Sequence, residues 1–296
     1  MSQKRLITRN NDSKRPLKQR KVAQCTDEEW TVELSITKMN SFLKLIELIK
    51  KLVNECKIEF SAQNGMTIVE GDSNAAALLN VVLRANIFSS FSCQKPIDFT
   101  ICVHDFYETV KSMYQPNSGN ALVIKLNEYV MLFKMEDPRF GVTKTATMLA
   151  GEKQQQSRIN PTKNQYSFMT HLPAKNLNRF CETLKKINAD QITFEIDTSS
   201  STYSLSGGTE RLSNCETFQM DQGMMIGVEN KKAIKESATV PLFYVQTVAQ
   251  AYKLNERVAI CLGPNLPFLM RYNIFDGVTD DETSTFTAWI TRIEKE

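Results

Sequence analysis

Basic side chains recur on the polar faces of two candidate helices. Lys44 and Lys51 are seven residues apart and lie almost on one line, opposite an apolar face. Lys175, Arg179 and Lys186 occupy the corresponding face of a later candidate helix. Cations in this arrangement can contact the phosphates of a nucleic acid without reading its bases. An ordinary solvated helix face carries the same charges, so the pattern alone leaves both interpretations open.

Residues suited to catalysis form no recognisable set in the sequence. Neither glycine-rich phosphate-binding motif, G-x-x-x-x-G-K-[ST] or G-x-G-x-x-G, occurs. His104 and Glu108 are four residues apart on a candidate helix, but a lone pair more often makes a surface hydrogen bond than a metal site. The acidic run 280–282 lies in a segment typical of a solvated turn. We therefore predict a protein that is not an enzyme, with neither metal nor cofactor; a nucleic-acid enzyme is the less favoured alternative.

Cysteine usage and hydropathy predict the compartment. The seven cysteines are scattered without a C-x-x-C pair, which argues against both a zinc site and a disulfide framework. No run of about 18 apolar residues occurs, and the N-terminus is too basic for a secretory signal. We expect an intracellular protein that does not enter a membrane.

The net charge of +3 is unevenly distributed. Residues 1–21 hold eight Lys or Arg and one acidic residue, so the remainder of the chain carries a net charge of −4. Residues 1–28 have almost no apolar spacing and are predicted to be a disordered arm. This arm fits a solvated tail, a nuclear-import signal or a phosphate-binding segment, and the sequence does not choose among them.

Two helices and a series of short strands are predicted in the first half of the chain. Between residues 37 and 54, apolar side chains recur at the i, i+3, i+4, i+7 spacing of an amphipathic helix. Strand-like segments follow, with Asn64-Gly65 marking a hairpin between the first two. A second helix over 104–113 leads into three more strands, the last near 140–148.

The same order of elements repeats in the second half. A helix with Pro173 near its first turn precedes three strands, a helix over about 241–252 and three further strands. Corresponding helices are separated by about 136 residues, which indicates two equivalent domains. We predict an α+β fold with two helices and antiparallel sheets per domain. The expected segments are an arm (1–28), two domains (29–149 and 166–296) and a connector (150–165).

Five stretches of the sequence, taken in order, form a recognisable series. They are Leu52–Glu55 (LVNE), Asp72–Arg84 (DSNAAALLNVVLR), Leu172–Ile187 (LPAKNLNRFCETLKKI), Asn265–Ile274 (NLPFLMRYNI) and Arg292–Glu294 (RIE). The series resembles the proliferating cell nuclear antigen (PCNA) family of DNA sliding clamps. The resemblance extends over residues 32–296, and the two-domain repeat is also the architecture of that family.

The resemblance implies a ring, usually of three subunits, in which four helices of each subunit line the hole and the sheets form the outer wall. Family positions that contact DNA phosphates correspond to six basic residues of this chain: Lys44, Lys50, Lys111, Arg179, Lys186 and Lys253. Three other basic positions of the family are occupied here by Glu108, Glu182 and Gln246. The positive charge of the implied channel is therefore reduced.

The resemblance also implies a pocket for a short peptide of partner proteins, between the two domains and beside the connector. The matching positions are Ala75, Leu78, Ile159 and Pro267, with Met148 and Leu149 as candidates for the rim. Near the C-terminus, Ala288, Ile290 and Thr291 replace the aromatic and proline pattern of the family. Without the resemblance, these apolar residues would be assigned to sheet cores.

The implied function is that of a polymerase processivity factor, which encircles double-stranded DNA without sequence preference and tethers replication and repair proteins. The implied partners are DNA polymerases, other proteins with clamp-binding peptides, and a clamp loader. Family subunits join through strands that correspond to residues 140–147 and 211–218, which favours a homotrimer at a nuclear or viral replication site. A heteromeric checkpoint-type clamp and a monomeric or dimeric processivity factor are the alternatives.

Overall fold

The computed structural model describes residues 30–116, 119–151, 166–219, 235–275 and 283–293. The expected arm over 1–28, most of the expected connector and the acidic run 280–282 lie outside these residues. Within the described ranges, no helix combines the length and the apolar character needed to cross a membrane. The same part of the chain contains four α-helices and seventeen strands.

The first half contains two of the helices and nine of the strands. Helix α1 covers Met39–Leu52, and α2 covers Val103–Met113. The strands are β1 (Val32–Ile36), β2 (Glu55–Ser61), β3 (Gly65–Gly71), β4 (Ala77–Leu83), β5 (Ser90–Cys93), β6 (Ile97–Cys102), β7 (Leu122–Leu126), β8 (Val130–Asp137) and β9 (Val142–Leu149).

The second half repeats this order. Helix α3 covers Ala174–Lys186, and α4 covers Leu242–Ala249 and continues as a 3-10 helix, Gln250–Lys253. The strands are β10 (Phe168–Pro173), β11 (Gln191–Asp197), β12 (Thr202–Gly208), β13 (Ser213–Gln219), β14 (Lys235–Pro241), β15 (Arg257–Leu262), β16 (Phe268–Ile274) and β17 (Ser284–Ile290). Among the described residues, only β5 lacks a counterpart in the repeat.

The predicted α+β class with two equivalent domains is confirmed. The predicted helix over 241–252 ends as a 3-10 segment, because only the first two turns keep α-helical hydrogen bonding. The sequence prediction gives no range for β1, β5, β6, β10 or β14. Strand β14 begins with the polar run Lys235, Glu236 and Ser237, and no apolar alternation distinguishes it from a loop.

Three antiparallel sheets form the wall of the molecule. Five strands of the first half follow the order β5-β1-β7-β8-β9, and four strands of the second half follow the order β13-β12-β11-β14. The third sheet has the order β10-β15-β16-β17-β4-β3-β2-β6 and takes four strands from each half. Its central join pairs β17 with β4, from Thr285 opposite Val82 to Ile290 opposite Ala77. The two halves therefore share one continuous sheet.

The helices bury their apolar faces against the sheets. In α1, Phe42, Leu45 and Ile49 are each at most 2% exposed. Phe106 of α2 lies between Phe42 and Phe133 of β8, with ring centroids 6.3 and 5.8 Å apart. Burying one such side chain stabilises the fold by about 1.5–3 kcal/mol. This packing fixes the rotation of each helix, so its polar face points away from the sheets.

The predicted hairpin at Asn64-Gly65 is confirmed. Gly65 has φ of 73° and pairs with Ser61 across the turn between β2 and β3. A Cβ at this position would lie 2.2 Å from the carbonyl oxygen of Leu83. Because this neighbour is backbone, only glycine fits both the left-handed conformation and the close approach.

A polar contact, which we call the Asp72–Tyr244 bridge, joins the two halves beside the shared sheet. The Tyr244 hydroxyl donates to the Asp72 carboxylate at 2.5 Å, and the backbone N–H groups of Asn74, Ala76 and Ala77 donate to the same carboxylate. Burial alone would raise the pKa of Asp72, but these four donors together hold it below the ordinary value of 3.8. The ionised form of Asp72 is thus the one that the fold stabilises.

Replacing Tyr244 with Phe is expected to lower the free energy of unfolding by about 1 kcal/mol, because a hydroxyl that donates to a carboxylate is removed while the backbone donors remain. The difference from wild type should be present in full above the ordinary Asp pKa of 3.8. It should disappear as the pH falls through the lower pKa of folded Asp72. Chemical denaturation at a series of pH values measures both effects.

Tyr272→Phe is the matched control. Tyr272 is 0% exposed, and its hydroxyl has no hydrogen-bond partner among the described residues. Removing this hydroxyl should leave the free energy of unfolding unchanged or raise it. Equal decreases in the two variants would show that the Asp72–Tyr244 bridge adds nothing to stability.

Candidate nucleic-acid interface

The four helices lie side by side in one layer. Helix α1 contacts α2 on one side and α4 on the other, and α4 contacts α3, which gives the order α2-α1-α4-α3. Each helix turns its apolar face toward the sheets, so the polar faces share the opposite surface. We call this surface the helical layer. It crosses the boundary between the two halves without interruption.

Basic residues outnumber acidic residues on the helical layer. The acidic residues are Glu47, Asp105, Glu108 and Glu182. The nine basic residues are Lys44, Lys50, Lys51, Lys111, Lys175, Arg179, Lys185, Lys186 and Lys253. The chain beyond residue 21 is acidic overall, so the excess of basic over acidic residues on the helical layer is a local property of this surface.

Three lysines meet where the two halves adjoin. Lys44, Lys51 and Lys253 line a narrow groove between α1 and the 3-10 helix. Lys51 Nζ donates to Gln250 Oε1 at 2.7 Å and lies 3.2 Å from a carboxylate oxygen of Glu47. Lys44 and Lys253 form no ion pair with any described residue. They therefore remain available to an anion outside the chain.

Lys50 is held by groups of α2. Its Nζ lies 3.9 Å from the centre of the Tyr107 ring and 3.7 Å from Glu108 Oε1. Lys111 Nζ lies 5.4 Å from the centre of the same ring. Glu108 stands at one of the positions where the family resemblance implies a cation. Lys50 is thus partly neutralised before any ligand arrives.

All four cations of helix α3 are exposed. Arg179 is predicted to contact DNA, and one of its guanidinium nitrogens lies 3.7 Å from a carboxylate oxygen of Glu216 in β13. Lys175 and Lys186 are exposed and form no ion pair within the part of the chain that the structure describes. All six predicted basic residues are therefore on the helical layer, with unequal freedom to bind phosphate.

The titratable side chains near the helices make individual contacts in the described part of the chain. Across the described ranges, no group of three or more His, Cys, Asp or Glu residues could hold a metal ion. Glu108 pairs with Lys50 rather than with His104. Burial raises the pKa of Cys181 to about 12 and that of Cys261 to about 11, so both are neutral thiols at pH 7.

A row of apolar side chains crosses the shared sheet on its less buried face. Trp289 of β17 lies opposite Leu78 of β4 and opposite Leu269 of β16, and directly paired residues point to the same face. We call these three residues the apolar row. Pro267 directly precedes β16, and Ala75 lies in the turn before β4 with φ of 54°. The structure therefore brings together Ala75, Leu78 and Pro267 of the predicted pocket.

Other predicted pocket residues lie elsewhere. Met148 and Leu149 belong to β9 in the five-stranded sheet, where Met148 packs on the core and Leu149 is 69% exposed. The chain then leaves β9 along β6, since Gly151 N donates to the Thr100 carbonyl oxygen at 2.9 Å. Strands β3, β2 and β6 separate this point from β4, so the structure does not bring Met148 and Leu149 to the apolar row. Ile159 lies outside the described residues.

The sequence prediction missed Trp289 and named its neighbours instead. Ala288 and Ile290 are 1% and 0% exposed and belong to the core, whereas Trp289 between them points to the other face. Because every second residue of a strand faces the same way, the sequence of β17 alone shows that Trp289 faces opposite to Ala288 and Ile290. Without the pairing partners, the two faces cannot be told apart.

Comparisons with known proteins agree with this geometry. The family models for the N-terminal and C-terminal domains of proliferating cell nuclear antigen match residues 31–143 and 161–281. A probable DNA polymerase sliding clamp of Orgyia pseudotsugata multicapsid polyhedrosis virus is 20% identical over 82% of this chain and 91% of that protein. Proliferating cell nuclear antigen of Caenorhabditis elegans is 22% identical over 78% of this chain and 87% of that protein.

Among solved structures, the crystal structure of proliferating cellular nuclear antigen from Entamoeba histolytica has the same fold. It matches with a TM-score of 0.73 and 15% identity, and the match covers 90% of this chain and all of that one. The two family models together span most of the chain and follow each other in the order of its two repeated halves. The chain belongs to the proliferating cell nuclear antigen family.

Proposed function

We propose that the chain is a DNA sliding clamp, which encircles double-stranded DNA and keeps a DNA polymerase attached to it. The observation that carries this function is the helical layer, a continuous surface with nine basic and four acidic residues. Lys and Arg on such a surface bind phosphates irrespective of base sequence, and a protein that slides needs contacts of this kind. The relatives named as a sliding clamp and as proliferating cell nuclear antigen support the same function.

The internal repeat supports ring formation. Within one chain, β17 of the second half pairs with β4 of the first half. In the repeat, β9 is the counterpart of β17, and β13 is the counterpart of β4. Strands β9 and β13 are the outermost strands of their sheets in the described part of the chain. A β9–β13 contact between two copies would repeat the junction inside each copy, and head-to-tail contacts of this kind can close a ring.

Exposed apolar side chains flank the same two strands. Phe140, Val142 and Leu149 at β9 are 76%, 46% and 69% exposed, and Leu212 just before β13 is 58% exposed. Apolar groups beside an open strand edge favour association with a second chain. Because the two complementary edges belong to one chain, we favour a homotrimer over a heteromeric checkpoint-type ring and over a monomeric or dimeric factor.

The remaining assignments follow from the clamp function. We infer that DNA polymerases and other proteins bind through short peptides at the apolar row, that a clamp loader opens the ring, and that the chain has no catalytic activity. We place it inside the cell, in the nucleus or at a viral replication site. The domain division at 29–149 and 166–296 and the role of the basic arm belong to the same proposal.

The chain is expected to run as a particle of three times its mass of 33.7 kDa in size-exclusion chromatography with light scattering at micromolar concentration. Leu212→Asp should dissociate the ring, because it introduces a charge beside the edge strand β13. The subunit should remain folded, because Leu212 is already exposed. Ile293→Asp is the control, since Ile293 is 40% exposed and its backbone N–H donates to Thr239 of β14, at the end of that sheet opposite β13. A wild-type monomer under these conditions would exclude the closed ring.

A peptide of the form Q-x-x-hydrophobic-x-x-aromatic-aromatic is expected to bind at the apolar row, where apolar side chains can hold its anchors. Leu78→Asp should abolish binding in isothermal titration calorimetry. Val82→Asp is matched to it, because Val82 is half-buried on the same strand and the same face but lies opposite Thr285. If Leu78→Asp binds as tightly as wild type, or if both variants bind equally weakly, the peptide site lies elsewhere.

Alanine replacement of Lys44, Lys50, Arg179 and Lys186 should weaken association with duplex DNA and lower the slope of log K against log salt by about 1 for each phosphate that is no longer neutralised. Lys186→Ala alone should have a larger effect than Lys50→Ala, because Lys50 is already engaged by Glu108 and Tyr107. Folding should be little changed, since Arg179 and Lys186 are exposed, where substitutions typically alter stability by less than about 0.5 kcal/mol, and Lys44 and Lys50 are half-buried at the surface. Fluorescence anisotropy over a series of salt concentrations measures the slope.

Glu108→Gln should act in the opposite direction and strengthen duplex binding, because it frees Lys50 and removes a negative charge from the helical layer. Glu136→Gln is the control: Glu136 pairs with Lys134 on β8, away from the helices. All variants should also be measured without residues 1–28, since the basic arm can bind DNA by itself. An unchanged salt slope in the armless quadruple variant would show that the helical layer is not the DNA-binding surface.

A further inference from the structure

The ends of three helices enclose an open groove of about 550 Å³, which we call the junction groove. Its walls come from the last turns of α1 and α3 and from α4, and they include Lys51, Lys185, Asn188, Phe243 and Gln246. Sites for small ligands usually measure about 300–1,000 Å³. None of the six basic residues predicted to contact duplex DNA lines this groove. Gln246 in its lining stands at a position where the family resemblance implies a cation.

Phe243 is the exposed aromatic wall of the junction groove. Its side chain is 61% exposed although it begins a helix that is otherwise largely buried. The ring packs edge-to-face against Tyr244, with centroids 5.2 Å apart, and Tyr244 is fixed by its hydrogen bond to Asp72. A largely exposed aromatic ring thus lies beside the groove, in contact with a neighbour that is fixed by a hydrogen bond.

Two lysines and one aspartate line the groove beside this ring. Lys185 is exposed and forms no ion pair with a described residue, while Lys51 shares its charge with Glu47 at 3.2 Å. Asp190 is the acidic residue of the lining. Lys51 also lines the narrow groove that contains Lys44 and Lys253, so the basic surface continues from the junction groove along α1.

Amide side chains supply the remaining polar groups. Asn188, Gln246 and Gln250 line the junction groove, and each amide both donates and accepts hydrogen bonds. Gln250 uses its oxygen to accept from Lys51, which leaves its amide nitrogen to donate. Groups of this kind match the mixed donors and acceptors along the edge of a nucleobase.

We propose that the junction groove binds an unpaired nucleotide of single-stranded DNA, with the base stacked on Phe243 and the adjoining phosphates at Lys51 and Lys185. This proposal rests on the proposed clamp function, which brings DNA to the helical layer. Exposed aromatic rings flanked by cations are the usual means of binding single strands without sequence preference. A duplex cannot use the ring in this way, because its bases are stacked on each other and present only their edges.

A pair of oligonucleotides of equal charge tests the stacking. One is a 12-nucleotide oligo-dT with a fluorescent 5′ label, and the other has the same phosphates with abasic residues at its centre. The full chain should bind the oligo-dT about fivefold more tightly or better, since stacking of a base on an aromatic side chain is the added contact. The basic arm contributes equally to both ligands, because it meets the same number of phosphates.

Variants assign the preference to one side chain. Phe243→Ala should remove it, and Phe243→Trp should retain it because an indole ring can also stack. Tyr129→Ala is the control, since Tyr129 is an aromatic residue that is 68% exposed and lies in the turn before β8. Lys185→Ala should weaken both oligonucleotides alike and leave their ratio unchanged. All of these positions are exposed, and thermal unfolding verifies that each variant is folded.

Three results would overturn the proposal. The first is equal affinity of the wild-type chain for oligo-dT and for the abasic oligonucleotide, and the second is a preference that survives in Phe243→Ala. The third is loss of polymerase-peptide binding in Phe243→Ala with oligonucleotide binding intact, which would assign the groove to a protein partner. Duplex binding measured in parallel separates the two proposals: its absence contradicts the clamp function, whereas its presence without an oligo-dT preference contradicts only the role of the junction groove.

Discussion

The antiparallel pairing of β17 with β4 connects the last strand of the chain to a strand of its first half, and most of the functional surface depends on this connection. It makes one sheet of two halves, and it thereby sets α1 beside α4. It also places Trp289 next to Leu78. Bringing together two strands that are so far apart in the sequence costs conformational entropy, and the hydrogen bonds and the packing between β17 and β4 must offset this cost. The Asp72–Tyr244 bridge adds a polar contact at the same join.

How much of the fold could be predicted from the sequence differs between elements. Helices α1 and α3 follow from apolar spacing, because their buried faces and basic faces alternate with the helical period. The polar strand β14 could not be recognised, since its place in the sheet is set by pairing with β11 rather than by its own side chains. The repeat was visible from helix spacing alone. The sequence does not show which strands join the two halves, because pairing between strands that are far apart in the chain leaves no local pattern.

The candidate site shows the same division. All six predicted basic residues lie on the helical layer, because helix phase is a local property. Whether each basic residue is free to bind a phosphate depends on its neighbours in space, which the sequence does not show. Glu108 pairs with Lys50, and Glu216 lies near Arg179. The sequence predicts part of the apolar row, because it names Leu78, a member of the row, and Pro267, which precedes β16. It does not identify Trp289, and it includes Met148 and Leu149, which belong to another sheet. Each of these errors concerns pairing between strands.

In the proposed clamp, the contacts of Lys50 would affect motion along DNA. A phosphate that passes this lysine must compete with Glu108 and with the face of Tyr107, so the attraction it experiences is weaker than that of an unengaged ammonium group. Each position at which a phosphate binds a lysine is an energy minimum for a clamp that diffuses along DNA. This minimum is shallower where the lysine also contacts a carboxylate or an aromatic ring of its own chain. If the helical layer binds DNA as proposed, the acidic residues on it would lower the friction of sliding, whereas Lys44 and Lys186, which form no ion pair with a described residue, would attract passing phosphates at full strength.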